Sequence, residues 1–171
     1  MEAEEDLSAQ RRFFTFRRSI SHFPTGVAVI SCGRDLDTFH GVTVNSLTSI
    51  SLSPPSLMIS LRPGRAREGI VKQGSFGVSL LKEDQRPVAM HFAGNPKEEL
   101  RETFVIRDKV PTLRDCIGWL ECDVELKIEH HDHTLIFGRV TSCDFDGGAP
   151  LIFFGGKFRA SADVFLDYIY C

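Results

Sequence analysis

Three runs in this 171-residue chain carry enough polar chemistry to build a site. The first is Thr43-Val44-Asn45-Ser46-Leu47-Thr48-Ser49-Ile50-Ser51, where six of nine residues bear a hydroxyl or an amide between apolar stretches. Buried and unsatisfied, each would cost about 1–3 kcal/mol. The run is therefore either a polar strand edge with hydroxyl turns or a wall of donors and acceptors facing a polar planar ligand. The carbonyls and ring nitrogens of a flavin's pyrimidine edge suit such a wall. The second run places Arg62, Arg65 and Arg67 around Gly64 at a predicted helix start. Guanidinium forks beside helix N–H groups make an anion site; a solvated charge run is the plainer reading. The third is His130-His131-Asp132-His133. His131 and His133 share a face if the run is extended and can meet one metal ion. A polar hairpin turn, or a functional His133 whose neutral ring donates, accepts or stacks, are the other readings.

Missing motifs narrow the chemistry. The chain has no GxGxxG, no GxxxxGK[ST], no GxSxG and no HExxH, so neither a dinucleotide fingerprint, a phosphate loop, a nucleophile elbow nor a zinc-protease helix is present.

The elements that must position these runs are mostly strands. Phe13, Phe16, Ile20 and Phe23 recur at spacings of three and four, which predicts a helix over 8–22 with a core-facing stripe, ended by Pro24 and Gly26, behind a frayed start within residues 1–10. Strands are predicted at 27–32, from Thr38 through Ser46, and at 57–61, 76–81, 120–128, 134–141, 151–154 and 157–159. Ser53-Pro54-Pro55 forces a turn, because neither proline can donate to a ladder. A short helix fits 65–73, and Asp84 is a candidate N-cap for a helix containing Val88, Ala89 and Phe92 that ends at Gly94-Asn95-Pro96. Glu121, Asp123, Glu125 and Lys127 give one strand a wet face. Many strands at short spacing with marginal helices predict a mainly β fold with flanking helices, a barrel in a single domain over 1–171, and not a doubly wound sheet.

A net charge of −3 and a pI near 6.1 carry no basic nucleic-acid footprint. No apolar run approaches the roughly 18–20 residues that span a bilayer, so no membrane partner is expected. The start is acidic and lacks the apolar core of a signal peptide. Five cysteines without a CxxC read as reduced thiols, and the expected compartment is the cytoplasm. Phe occurs 14 times against one Trp and two Tyr; Phe13, Phe16 and Phe76 read as core.

Five segments then combine: Phe23-Pro24-Thr25-Gly26-Val27; the block from His40 to Pro55; His91-Phe92-Ala93-Gly94; Asp132-His133-Thr134 with Gly138-Arg139-Val140; and Pro150-Leu151 through to Phe158. In that order they resemble the flavin reductase family with the FMN-binding split barrel, and in particular the small reductase components of two-component flavin monooxygenases, over about Phe16 to Phe158. The resemblance implies a Greek-key-like split β-barrel, usually homodimeric. It implies that Thr43, Val44, Asn45, Ser46 and Ser49 line the isoalloxazine, that Ser60, Leu61, Arg65 and Ala66 hold the ribityl phosphate, and that Phe92, Gly94 and Asn95 complete the pocket. His133 would orient the nicotinamide, with Phe154, Gly155, Lys157 and Phe158 in the same region. Phe92, Phe154 and Phe158 would border the rings. The cofactor would be FAD or FMN, with a lean to FAD, and the hydride donor NADH or NADPH, with a lean to NADH. A separate flavin-dependent monooxygenase would receive the reduced flavin.

Three departures from the family pattern stand out. Gly64-Arg65-Ala66-Arg67 replaces the usual Ser and Thr of the phosphate loop, Phe153-Phe154 replaces Tyr-His before the paired glycines, and His130-His131 replaces small residues before Asp-His. Hydride transfer needs no protein nucleophile, since the cofactors carry the chemistry and the protein holds the rings about 3–3.5 Å apart. A flavin- or haem-binding split-barrel protein without turnover and an oxidase of the pyridoxamine-phosphate type are the alternatives.

Overall fold

In the computed structural model, which describes residues 2–37, 39–95 and 103–162, the apolar runs do become strands. Strand β1 spans Thr25–Gly26, β2 Ala28–Cys32, β3 His40–Val44, β4 Thr48–Leu52, β5 Pro55–Leu61 and β6 Ser75–Leu80. Farther on come β7 Phe104–Ile106, β8 Pro111–Leu113, β9 Gly118–His130, β10 His133–Phe145, β11 Ile152–Phe154 and β12 Lys157–Arg159. The helices are α1 Glu2–Ser21, α2 Arg65–Gln73 and α3 Arg86–Phe92. Seven strands form one antiparallel sheet in the order β3-β2-β6-β9-β10-β5-β4. Its edge strands β3 and β4 follow one another in the chain, so the sheet curls into a split barrel joined at the seam by residues 45–47. A three-stranded sheet β1-β11-β12 and the hairpin β7-β8 lie beside it.

The sequence of β2 explains the layering. All five of its residues are buried, which is why it reads as an unbroken apolar run. Ala28 and Ile30 point into the barrel with Ile59, Phe76 and Ile136. Val29, on its other face, joins Leu81, Ala89, Phe104, Leu113 and Leu151 in a second core under α3 and the small sheets. Where β10 crosses Phe76, Gly138 is required, because a Cβ there would stand 2.5 Å from the Phe76 ring.

Several expectations need correction. The first helix begins at Glu2, six residues before the predicted start at Ser8. Its stripe does not face the core: Phe13 and Phe16 are 57% and 68% exposed, and Ile20 and Phe23 are exposed as well. Thr48–Leu52 is a strand, and Pro55 opens the next one, where it has no ladder hydrogen bond to lose. Asp84 caps nothing. A 3₁₀ turn over Glu83–Gln85 precedes α3, and the Gln85 side chain accepts the Lys82 N–H at 2.9 Å instead. Glu121 is buried, because the turn before β8 folds over it and donates the Asp108 and Lys109 N–H groups to its carboxylate, each at 3.2 Å. The hairpin β7-β8 had no sequence signal beyond two short apolar triplets.

Candidate functional site

A cleft of about 850 Å³ opens at one end of the barrel, between the start of β3, the loop into α2 and the end of α3. Gly41 forms part of its floor. A Cβ there would meet the Phe92 ring at 2.7 Å, so the ring lies directly on the strand backbone. Gly94, with φ of 105°, ends α3 in a left-handed conformation that glycine accepts freely. Across the cleft, α2 starts at Gly64 with no side-chain cap, which leaves its first N–H groups directed at the opening. Leu61, Arg65, Ala66, Phe92 and Gly94, all expected to bind the cofactor, line this one space.

The arginines there divide into two kinds. Arg62 pairs with Asp132 at 3.0 Å. Arg67 donates to Thr134 Oγ1 at 2.8 Å and to Glu129 at 2.7 Å. All three partners lie at the tip of the β9-β10 hairpin, so the hairpin is clamped to the loop into α2. The bond from Thr134, then that from Arg67, holds the Glu129 carboxyl below its usual range. His133 Nδ1 lies 2.8 Å from Asp132 Oδ1, and this contact, ahead of Arg62, lowers the Asp132 carboxyl. Arg65 has no polar partner among the described residues, which leaves its guanidinium free for an anion.

The hydroxyl-rich run is only partly a wall. Thr43 Oγ1 is committed to the Ala89 carbonyl at 2.8 Å, and the Val44 side chain is in the core. Ser46 Oγ donates to Ser60 O at 3.0 Å and accepts from Ser60 N at 3.2 Å, stitching the seam of the barrel. Ser49 is exposed on β4. Asn45 lines a second, mostly apolar pocket of about 270 Å³ at the other end of β3, with Thr25, Leu47, Leu81 and Leu151. The Thr25 hydroxyl is buried with no partner among the described residues, an orphaned group of the kind a ligand's polar edge completes. An uncapped helix end, a free Arg65 and that hydroxyl, spaced along β3, fit the phosphate and ring portions of a flavin. Asn95 is exposed just beyond Gly94, with its N–H on the Met90 carbonyl.

The residues expected on the nicotinamide side do not meet within one chain. His133 sits at the hairpin tip, opposite His130. Phe154, Gly155, Lys157 and Phe158 belong to the β11-β12 hairpin, which attaches near Leu81 and Lys82 at the other end of the barrel. Phe154 is buried edge-on against His22 at 5.6 Å, and Phe158 packs on Phe153 in the second core. Of the three phenylalanines expected to border the rings, Phe92 lines the cleft and the other two fill core. His130–His133 forms the hairpin turn, with His131 at φ 53°. Reading by residue type missed Phe39, His40 and His91 as cleft lining and Thr25 as a pocket donor. The first three flank or belong to segments that carry the resemblance, which was the available signal.

Comparison with known proteins bears directly on this geometry. The flavin reductase like domain family matches residues 20–162. The chain is 39% identical over 163 residues to the NADH-dependent flavin reductase StyB of Pseudomonas fluorescens, covering 93% of this chain and 96% of that protein. It is 32% identical over 155 residues to the NADH-dependent FAD reductase of Streptomyces globisporus, covering 85% and 84%. The solved structure of the styrene monooxygenase flavin reductase SMOB from Pseudomonas putida S12 matches with a TM-score of 0.80 at 40% identity, covering 85% of this chain and 96% of that one. Among the described residues no helix is long and apolar enough to cross a membrane.

Proposed function

The chain belongs to the flavin reductase family, and from that membership we propose that it transfers hydride from a reduced nicotinamide to a flavin and releases the product to a separate flavin-dependent monooxygenase. It is an NAD(P)H:flavin oxidoreductase acting as one catalytic domain. FAD is the preferred flavin and NADH the donor; the protein works as a homodimer in the cytoplasm. The observation that carries this reading is the pairing of the uncapped α2 start and free Arg65 with the orphaned Thr25 hydroxyl at the far end of β3. The size of the cleft, with Phe39, His40, His91 and Phe92 along it, supports a dinucleotide over a mononucleotide.

A bound flavin supplies the hydride acceptor, and the chain's residues hold and orient the reactants. The α2 N–H groups and Arg65 take the phosphate as charge-assisted donors. Asn45 and main-chain groups of Thr43 and Val44 on the edge strand β3 read the polar edge of the ring, where donors stabilise the charge that accumulates on reduction. His133, oriented by Asp132, positions the nicotinamide. No residue is required as nucleophile or general base, in keeping with a site that has no triad.

The test is absorbance at 340 nm on mixing the protein with NADH and either FAD or FMN. Catalytic loss of NADH, faster with FAD, is expected. No loss with either flavin, and none with NADPH, would overturn the assignment in favour of a binding protein without turnover.

A further inference from the structure

The hairpin β7-β8 has three residues in each strand, too few to hold its own shape in water. Buried polar groups of three other strands fix it instead. Ser31 Oγ on β2 donates to the Pro111 carbonyl. Ser79 Oγ on β6 accepts the Leu113 N–H at 2.9 Å, and Glu121 on β9 accepts the Asp108 and Lys109 N–H groups of the turn. Gly77 lets the hairpin lie flat on the sheet, since a Cβ there would stand 2.6 Å from the Pro111 oxygen. Arg107 closes the turn from outside: it bonds Thr112 Oγ1 and the Leu113 and Arg114 carbonyls, and lies 4.7 Å over the Trp119 ring. Glu121 is 1% exposed, and a carboxylate is a costly group to bury. Spent on two N–H groups of one turn, it fixes where that turn sits.

What the hairpin carries inward is Phe104, also 1% exposed. Its ring stands 4.5 Å from that of Phe39 and 5.4 Å, edge-on, from that of Phe92. Both of those rings line the cleft, and each residue is backed by a glycine as well. A Cβ on Gly33 would stand 2.7 Å from Phe39 Cα, and one on Gly41 would stand 2.7 Å from the Phe92 ring. Each is gripped from two sides. Contacts between aromatic rings are directional, so Phe104 sets the tilt of the two rings and not only the volume behind them. Phe39 immediately precedes β3, and Phe92 lies over its second residue. With the flavin phosphate at the α2 start and the ring toward Asn45, FMN ends at its phosphate. Only the adenosine half of FAD extends to the two phenylalanines.

We infer that Phe104 and Glu121 are positioning residues for flavin selection: Glu121 seats the hairpin, Phe104 sets the angle of Phe39 and Phe92, and those two rings stack on the adenine of FAD. The inference rests on the flavin reductase reading. Neither Phe104 nor Glu121 touches the flavin, and both act only on the half that FAD has and FMN lacks.

Titration of the full chain with FAD and with FMN, each followed by flavin fluorescence, reads the effect as a ratio of two dissociation constants. The wild type should bind FAD more tightly. Phe104→Leu keeps an apolar side chain in the core but no ring face. It should weaken FAD about three- to tenfold, the worth of one aromatic pair, and FMN less than about twofold. General damage to the fold would weaken both flavins alike, so the ratio separates positioning from damage. Glu121→Leu should lower the preference for FAD in the same way, whereas Glu121→Gln, whose amide oxygen still accepts from the turn, should keep most of it. Phe104→Leu combined with Glu121→Leu should lower it no further than the larger single change, because both act through the same two rings.

Far-ultraviolet circular dichroism shows which variants are folded. Where Phe104→Leu is not, Phe104→Met fills the space with a more adaptable chain and should give the same shift. An unchanged ratio in a folded Phe104 variant, or equal weakening of both flavins, would overturn the inference. So would a wild type that binds FMN as tightly as FAD. In each of these cases the flavin reductase reading stands. A wild type that binds neither flavin would remove that reading, and the inference with it.

Discussion

The two ends of the barrel are built by different means. At the α2 end the polar groups answer one another: Arg62 with Asp132, Arg67 with Glu129 and Thr134, and the Cys32 thiol with the Ala66 carbonyl at 3.4 Å. Glycines let rings and helices press onto strands. At the β11-β12 end the contacts are aromatic, Phe154 on His22 and Phe153 on Phe158, and a hydroxyl and an apolar helix face lack partners. At the first end the side chains of Arg62 and Arg67 are fixed by their partners before any ligand arrives. The second is a surface still to be covered.

The largest effect should separate the ends through glycine. Gly41→Ala drives a methyl into the Phe92 ring, which stands 2.7 Å from the Cβ position. We expect a loss of about 1–3 kcal/mol, as for an overpacked core, together with weaker flavin binding. Gly26→Ala at the other end meets nothing within 4 Å and should change stability by less than about 0.5 kcal/mol. Denaturant midpoints measure both; equal midpoints would erase the contrast.

Next in size is the division among the arginines. Arg65→Ala should raise the FAD dissociation constant about 10–100-fold, the effect of about 1.5–3 kcal/mol for hydrogen bonds to a charged group. Arg62→Ala, whose guanidinium already answers Asp132, should change it by less than about threefold. Fluorescence quenching of the flavin reads both constants. An Arg62 variant as weak as the Arg65 variant would show that the clamp itself binds the phosphate.

Smaller and chemical is the reactivity of the thiols. Burial raises the Cys32 and Cys116 thiols and pushes Cys122 up to about 12, so near pH 8 they hold little thiolate. Cys143 is exposed on β10. Iodoacetamide followed by peptide mass mapping should label Cys143 well before Cys32, Cys116 and Cys122. Early labelling of Cys32, which lies beside α2, would mean that the preorganised end opens in solution.

Legibility in the sequence followed the same division. The barrel strands were readable because alternation and apolar runs report burial directly, as in β2 and β5. The arginines around Gly64 marked the α2 start as a candidate anion site, but nothing in their types told that Arg62 and Arg67 would be tied to the β9-β10 hairpin. The stripe of α1 misled, since helical periodicity of apolar residues does not say whether that face meets this chain's own core. Thr43 misled in the opposite sense: a hydroxyl in a polar run fits a ligand as well as it fits the Ala89 carbonyl, and only the packing of α3 on β3 decides. The separation of His133 from Gly155 and Lys157 was invisible because it depends on how a 13-residue hairpin spans the barrel, and residue types carry no record of that length.

The smallest expected effect is the response to acid, and it is confined to the clamped end. Asp132 and Glu129 have carboxyls held below their usual range, by His133 and then Arg62 in one case and by Thr134 and then Arg67 in the other. A depressed folded pKa contributes stability that is fully present above the unfolded values, about 3.9 for Asp and about 4.3 for Glu. It is lost as pH falls through the lower folded values. Between pH 8 and 5 the hairpin tip should therefore stay tied to the α2 loop, and below about pH 4 it should loosen. At the other end the anchor of α1 is a backbone bond between Gly155 and Ser21, which does not titrate. Hydrogen exchange, corrected for the intrinsic pH dependence, should rise at residues 129–134 between pH 5 and pH 3 while residues 152–155 keep their protection. The double variant Glu129→Gln with Asp132→Asn should exchange faster at pH 5 and lose most of the acid response. A tip that exchanges equally in both proteins at both pH values would show that strand pairing with β5, and not the two ion pairs, holds the hairpin against the cleft.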